Sequence, residues 1–366
     1  MNDELEQVRT LAREFADAEL RPNVEAWDRE RRLDPRVIEH LAELGFFGML
    51  VPGEYGGMEF DLPTYLAVLE ELARGEPAVA LTVSIHSAFA VGLILRHGSE
   101  EQKKRWLGPL AAGEAIGCFA LSEPDAGSDA GAVQARAERN GDGWVLNGTK
   151  KWVTNARLAS LAVVAARAGD DIALFLVPTG TDGFEITGVE TTMGLRPIEV
   201  ATVELRDLRV GADALLGDPG KGFRYAMQGL DTGRLGIAAQ SVGIAGAALE
   251  YATGYAAERE QFGRKLREFE GMQFKLADMA TRVEAARGLV GRAAASPSTR
   301  NSAMAKLFAS ETAMWVTTQA VQVYGGYGYM RDYPVEKLMR DAKATEIYEG
   351  TNEILRVVIA RELYRA

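Results

Sequence analysis

The sequence predicts an α+β protein, mainly α, with helices at both ends and a β-domain between them. Three observations carry that reading. Apolar residues recur every three or four positions up to about Gly113. The period then drops to two as far as about Gly217. After Gly217-Asp218-Pro219-Gly220 the helical period returns and stays. The expected division is an N-terminal helical domain over 1–113, an antiparallel barrel or sandwich over 114–217, and a C-terminal helical domain over 218–366.

In the first block, Leu5, Val8, Leu11 and Phe15 form one apolar stripe, and Val37, Leu41 and Leu44 form another, with Gly45 as a stop. Pro63 suits a first helical turn before Leu66, Leu69 and Leu72. Ser99 and Gln102 make a capping box ahead of Trp106, Leu107 and Leu110. In the middle block, Val133, Ala135 and Ala137 alternate with polar residues, as in a half-buried strand. Asn147-Gly148, flanked by Trp144–Leu146 and Lys150–Val153, predicts a hairpin. Runs at 161–166, 172–177, 184–189 and 200–210 continue the strand pattern. The last block reads as three long helices over 222–258, 268–293 and 299–324, the third ended by Gly325-Gly326, and then two shorter ones.

Composition narrows the function classes. The net charge of −11 argues against broad phosphate-backbone binding, so no nucleic-acid partner is expected. Cys118 is the single cysteine, which excludes an intrachain disulfide and points to the cytoplasm. His40, His86 and His97 have no metal-ligand spacing. The start, Met1-Asn2-Asp3-Glu4, lacks a basic leader, and no run reaches the apolar length of a membrane span.

Six stretches could carry chemistry. Phe119 to Asp129 begins as a strand and becomes a loop rich in Pro, Gly, Ser and Asp. It is either a ligand loop or a surface turn. In Lys151-Trp152-Val153-Thr154-Asn155 the indole can stack on a planar ring while a hydroxyl bonds its edge; the alternative is a core tryptophan. Arg259-Glu260-Gln261-Phe262-Gly263 offers a phosphate fork and a ring cover, or a solvated helix end. Gln322 to Gly328 has glycines after a helix, which is not the dinucleotide fingerprint. Asp231 and Arg234 share a helical face and can grip a polar ligand or each other. In Ile347-Tyr348-Glu349-Gly350-Thr351-Asn352-Glu353, Thr351 suits the N-cap of a final helix. Glu349 then stands on the loop before it. A carboxylate partly desolvated by Ile347 and Tyr348 becomes a stronger base, whereas most loop carboxylates do no chemistry.

Taken in order, these segments resemble the acyl-CoA dehydrogenase family of flavoenzymes. The resemblance runs from about Gly45 to the C-terminus. Its most specific pieces are Leu121-Ser122-Glu123-Pro124 with Gly127-Ser128-Asp129, Trp152-Val153-Thr154-Asn155, Gln261-Phe262-Gly263, Tyr333 to Lys337 with Arg340-Asp341, and Ile347 to Thr351. It implies a C-terminal four-helix bundle and a homotetramer holding FAD at subunit contacts. Phe119, Leu121, Ser122, Trp152 and Thr154 would line the flavin. Arg259, Gln261, Phe262, Gln322 and Gly326 would hold its adenine and pyrophosphate end, with Thr351 and Glu353 completing the site. Ser128, Asp231 and Arg234 would contact the acyl-CoA, and Tyr348 and Gly350 would border its thioester.

Glu349 matches the family's usual catalytic base. It would take the α-proton while the β-hydride passes to flavin N5, with an electron-transfer flavoprotein as acceptor. Some relatives carry the base on the helix after the β-domain, where this chain has Gly233. The run Leu230 to Ile237 most resembles short-chain and branched short-chain members. Glu270 stands where many relatives have Gln and is not assigned to FAD. Competing readings are an oxidase on the same fold, a nucleic-acid-binding relative and a non-catalytic scaffold. The acidic balance and the intact Tyr348-Glu349-Gly350 oppose the nucleic-acid reading.

Overall fold

The computed structural model describes residues 3–364. Met1 and Asn2, where the reading of the chain start begins, lie outside the described residues. Seven helices come first: α1 (Asp3–Phe15), α2 (Val24–Glu30), α3 (Pro35–Glu43), α4 (Leu62–Gly75), α5 (Pro77–Ile85), α6 (Gly92–His97) and α7 (Glu100–Ala111). Local chemistry sets their ends. Asp34 and Asp61 cap α3 and α4, each with a proline in the first turn. The expected capping box of Ser99 and Gln102 opens α7. Gly45, just past α3, takes the left-handed φ of 72°.

The middle block is one curled sheet of β1 (Gly117–Ala120), β2 (Arg136–Asn140), β3 (Gly143–Thr154), β4 (Leu161–Ala168), β5 (Asp171–Pro178), β6 (Phe184–Val189) and β7 (Val200–Val210). The strand order is β1-β4-β2-β3-β7-β6, with β5 also on β4. Most pairs are antiparallel; β1 runs parallel to β4. Strands β4 and β5 are buried on both faces. Leu161, Val163, Leu174 and Leu176 meet the N-terminal helices, and Ala162, Val164, Phe175 and Val177 fill the inside of the curl. That is why both read as unbroken apolar runs rather than alternating ones.

The predicted hairpin at Asn147-Gly148 is not there. Strand β3 runs straight through it, and the turn falls at Gly141-Asp142, joining β2 to β3. Asn147 instead ties its side chain across to Asp207, accepting the Asp207 N–H at 2.8 Å. Gly148 marks a register shift against β7, and a Cβ there would stand 2.7 Å from the Ala135 backbone. The glycine serves a bulge and a close strand approach rather than a turn.

The last block contains α8 (Gly222–Glu258), a small hairpin β8 (Glu260–Gln261) and β9 (Arg264–Lys265), then α9 (Glu270–Ala295), α10 (Thr299–Tyr324), α11 (Pro334–Thr345) and α12 (Asn352–Leu363). Ala238, Ala239, Gly243 and Ala245 are among the small residues that bury the middle of α8, and small residues let neighbouring helices approach closely.

The expectation that no run is long enough for a membrane span needs correcting. Helix α5, a π-helical segment (His86–Val91) and α6 form one continuous run, Pro77–His97, which is long and apolar enough by length and composition. It lies mostly inside the protein, packed on α8 and β1. A helix apolar on every side is what the centre of a large core requires.

A buried charge cluster joins the three blocks. Lys337 on α11 donates to Glu76 at the start of α5, 2.7 Å away, and pairs with Asp341 at 2.8 Å. Asp341 in turn accepts the Leu195 N–H from the loop between β6 and β7.

Candidate active site

The connection between α11 and α12 is a tight turn held from four sides. Thr351 caps α12, as expected, with its hydroxyl accepting the Ile354 N–H. Glu349 and Gly350 both take positive φ, 53° and 97°. A left-handed glutamate is strained by about 1 kcal/mol and persists only where its surroundings fix it. Arg234 donates its Nε to the Glu349 carbonyl at 3.2 Å. Lys306 donates to the Gly350 carbonyl at 2.9 Å. Tyr348 donates its hydroxyl to Gln240 at 2.7 Å. The Asn352 N–H reaches back to the Glu346 carbonyl at 3.0 Å.

This geometry turns the Glu349 side chain inward onto α8. Its carboxylate rests on Gly233, where a Cβ would stand 2.1 Å from Oε2. The residue as a whole keeps some exposure, but both carboxylate oxygens are shut off from solvent and accept no hydrogen bond among the described residues. Burial pushes the carboxyl up to about 8, while the nearby Arg234 and Lys306 charges pull it back down. Buried polar atoms are nearly always partnered, so two unpartnered carboxylate oxygens make Glu349 a functional-site candidate.

Around Glu349 lies a cavity of about 360 Å³. From the β-domain come Phe119, Leu121, Ser122, Ser128, Trp152 and Thr154. From the C-terminal helices come Arg234, Tyr348, Gly350 and Thr351, and from the N-terminal helices Leu81, Ile85 and Phe89. Phe89 stacks on Phe119 with ring centres 4.4 Å apart. Trp152 takes a left-handed φ of 58° and stays 52% exposed, which excludes a core role. Its loop is braced from behind. The Lys151 N–H donates to the Ser122 carbonyl at 2.9 Å. The buried Lys150 ammonium donates to the Leu121 carbonyl at 3.0 Å and to Glu123 at 2.6 Å.

Aromatic faces with hydroxyls at their edge suit a planar, polar-rimmed ring. The residues present therefore fit the isoalloxazine of FAD, and the sealed Glu349 carboxylate lines the same cavity.

Not every expected residue lines this cavity. Asp231 accepts from Arg234 at 2.9 Å and from Thr299 at 2.6 Å, and lines a neighbouring cavity of about 450 Å³. Glu353 is exposed in the first turn of α12. Arg259, Gln261, Phe262, Gln322 and Gly326 lie elsewhere. Arg259 sits over the Tyr327 ring at 5.5 Å, Gln322 and Gly326 are exposed, and Phe262 is 93% exposed at the tip of the β8–β9 hairpin.

Sequence reasoning passed over Leu81, Ile85, Phe89, Gln240 and Lys306. A signal for Lys306 did exist: it is a lone cation on the same helical face as Ala303, Ser310 and Ala313. The apolar three sit on a helix that reads as ordinary core.

Three family models match the chain end to end: acyl-CoA dehydrogenase N-terminal domain at residues 2–114, middle domain at 118–208 and C-terminal domain at 220–364. The chain is 45% identical to the mitochondrial short-chain specific acyl-CoA dehydrogenase of Bos taurus, over 99% of this chain and 90% of that one. It superposes on butyryl-CoA dehydrogenase from Megasphaera elsdenii with a TM-score of 0.98 and 40% identity, covering 100% of this chain and 99% of that one. A chain in the structure of the electron transferring flavoprotein of Acidaminococcus fermentans matches with a TM-score of 0.98 and 42% identity, over the same shares. The chain belongs to the acyl-CoA dehydrogenase family, FAD-dependent oxidoreductases that desaturate acyl-CoA thioesters.

Proposed function

We propose that this enzyme desaturates a short acyl-CoA to the trans-2-enoyl-CoA, with Glu349 as the base that removes the α-proton. The observation that carries this reading is the carboxylate itself: sealed from solvent, unpartnered, and raised to about 8 at the end of the cavity. A base with that affinity for protons is matched to work near neutral pH. The bound flavin supplies the acceptor for the β-hydride. The Glu349 N–H makes no hydrogen bond among the described residues, which frees it to polarise the thioester carbonyl as negative charge develops there. Tyr348 and Gly350 border the thioester, and Ser128, Asp231 and Arg234 hold the rest of the acyl-CoA.

Phe119, Leu121, Ser122, Trp152 and Thr154 hold the flavin ring, with Thr351 and Glu353 at its edge. Arg259, Gln261, Phe262, Gln322 and Gly326 hold the adenine end together with a second subunit of a homotetramer, and the near-complete exposure of Phe262 supports that reading. Leu81, Ile85 and Phe89 narrow the cavity, in keeping with a short acyl group and with the short-chain relatives. Electrons pass to an electron-transfer flavoprotein, a reading supported by the Acidaminococcus likeness. The single buried thiol of Cys118 accords with the cytoplasm.

Anaerobic mixing with acyl-CoAs from butyryl to palmitoyl, branched isomers included, tests the reading. Flavin bleaching is expected to be fastest with the shortest chains. Glu349→Gln is expected to keep its flavin and lose bleaching by about a thousandfold or more; normal bleaching in that variant would remove Glu349 as the base.

A further inference from the structure

Lys306 is buried in the first half of α10, and no salt bridge reaches it among the described residues. Its ammonium donates to two neutral acceptors, the Gly350 carbonyl at 2.9 Å and Asn352 Oδ1 at 3.1 Å. Ser310 on the next turn of α10 also donates to that Asn352 oxygen, at 3.1 Å. A neutral donor would satisfy both acceptors, and burying an ammonium without a bonded anion is costly. The geometry gives the charge a use: its two bonds grip the residue after Glu349 and the first residue of α12, so the cation is locked beside the catalytic turn.

We propose that Lys306 is a positioning residue for the base, fixing the Glu349-Gly350 turn through its bonds to the Gly350 carbonyl and Asn352. This rests on Glu349 being the base. The charges around the pair come from several elements. Arg234 faces both groups from α8, Tyr65 faces Glu349 from α4, Tyr348 adjoins it, and Glu346 and Glu353 face Lys306 from either end of the turn. Burial lowers the Lys306 ammonium to about 7; Glu349, Glu346 and Glu353 oppose that, and Arg234 adds to it. Of those anions, Glu349 acts on it most strongly. The attraction is mutual: Lys306 is one of the two cations that hold the Glu349 carboxyl down.

The experiment compares Lys306→Met and Lys306→Arg with the parent holoenzyme. Flavin bleaching by butyryl-CoA is followed at saturating and at limiting substrate. In Lys306→Met, which can bond neither acceptor, the limiting rate is expected to fall about tenfold or more, while flavin content and the half-saturating butyryl-CoA concentration stay near those of the parent. Lys306→Arg, which can still donate to both acceptors, is expected to keep most of the parent rate. A flavin-loaded Lys306→Met with the parent's limiting rate overturns the proposal. If that variant does not fold, Asn352→Ala decides. It removes one of the two bonds that Lys306 makes, so the limiting rate again falls; an unchanged rate overturns the proposal. The outcomes stay distinct from those of the base assignment. Normal bleaching in Glu349→Gln removes the base. A dead Glu349→Gln beside an unslowed Lys306→Met removes only the role of Lys306.

Discussion

Glu349 and Phe262 share a backbone conformation, each at a left-handed φ of 53° on a short turn. One turns its side chain inward, where both carboxylate oxygens are sealed; the other holds a phenyl ring 93% exposed. The chain invests strain at both points, but only the Glu349 end is completed by its own residues. Arg234, Lys306, Gln240 and Gly233 close around that turn. At the hairpin, Phe269 stands edge-on to Phe262 with ring centres 6.4 Å apart. An aromatic ring displayed on a tight hairpin is unusual unless something covers it. The contrast separates a turn that the chain closes around its own carboxylate from a hairpin whose ring it leaves uncovered.

The sharpest way to break the inner half is Gly233→Ala. Its methyl would need the space of the Glu349 carboxylate. Displacing the base by about 1 Å is expected to slow flavin reduction by about a hundredfold while flavin content stays normal. An unchanged rate would mean that the carboxylate does not work from its place on α8. The pH profile is a gentler probe. With the Glu349 carboxyl raised to about 8, the ionised fraction grows as pH rises through that value. Below it, the reduction rate should fall about tenfold per pH unit; a flat profile between pH about 6 and about 8 would contradict the sealed carboxylate.

The outer half predicts a smaller and different effect. Phe262→Ala removes an exposed ring, so thermal unfolding should shift by no more than about 0.5 kcal/mol. Flavin retention on gel filtration is expected to drop several-fold, together with subunit association. If both persist unchanged, the exposed ring is not a cofactor or subunit contact.

How much of this was legible in the sequence follows the same inner and outer division. The long helices were readable because 3.6-residue periodicity survives wherever one face is buried, and the three long C-terminal helices end within two residues of their expected bounds. Asn147-Gly148 misled because its chemistry is local, whereas the bulge it serves is dictated by Ala135, just ahead of β2, and by Asp207 on β7. The run from Pro77 to His97 misled in the opposite way: its polar residues Thr82, Ser84, His86 and Ser87 are all buried, so they interrupt the sequence pattern but not the apolar helix. Glu349 was legible as a carboxylate beside a glycine and an N-cap. Its seal was not, since it depends on Gly233 and Lys306, more than forty residues away in either case. Asp231 and Arg234 resolve towards each other through an ion pair, and Arg234 also lines the cavity.

The Glu76–Lys337–Asp341 cluster sets a limit on how such proteins can be recombined. Each of the three blocks contributes to it: a helix start, a helix interior, and a loop N–H at Leu195. A domain transplanted from a relative without its share of these groups would leave a buried charge without its partner, at a cost of about 3–5 kcal/mol. The three parts are therefore not interchangeable modules, and chimaeras built by domain exchange must carry this cluster across the seams intact.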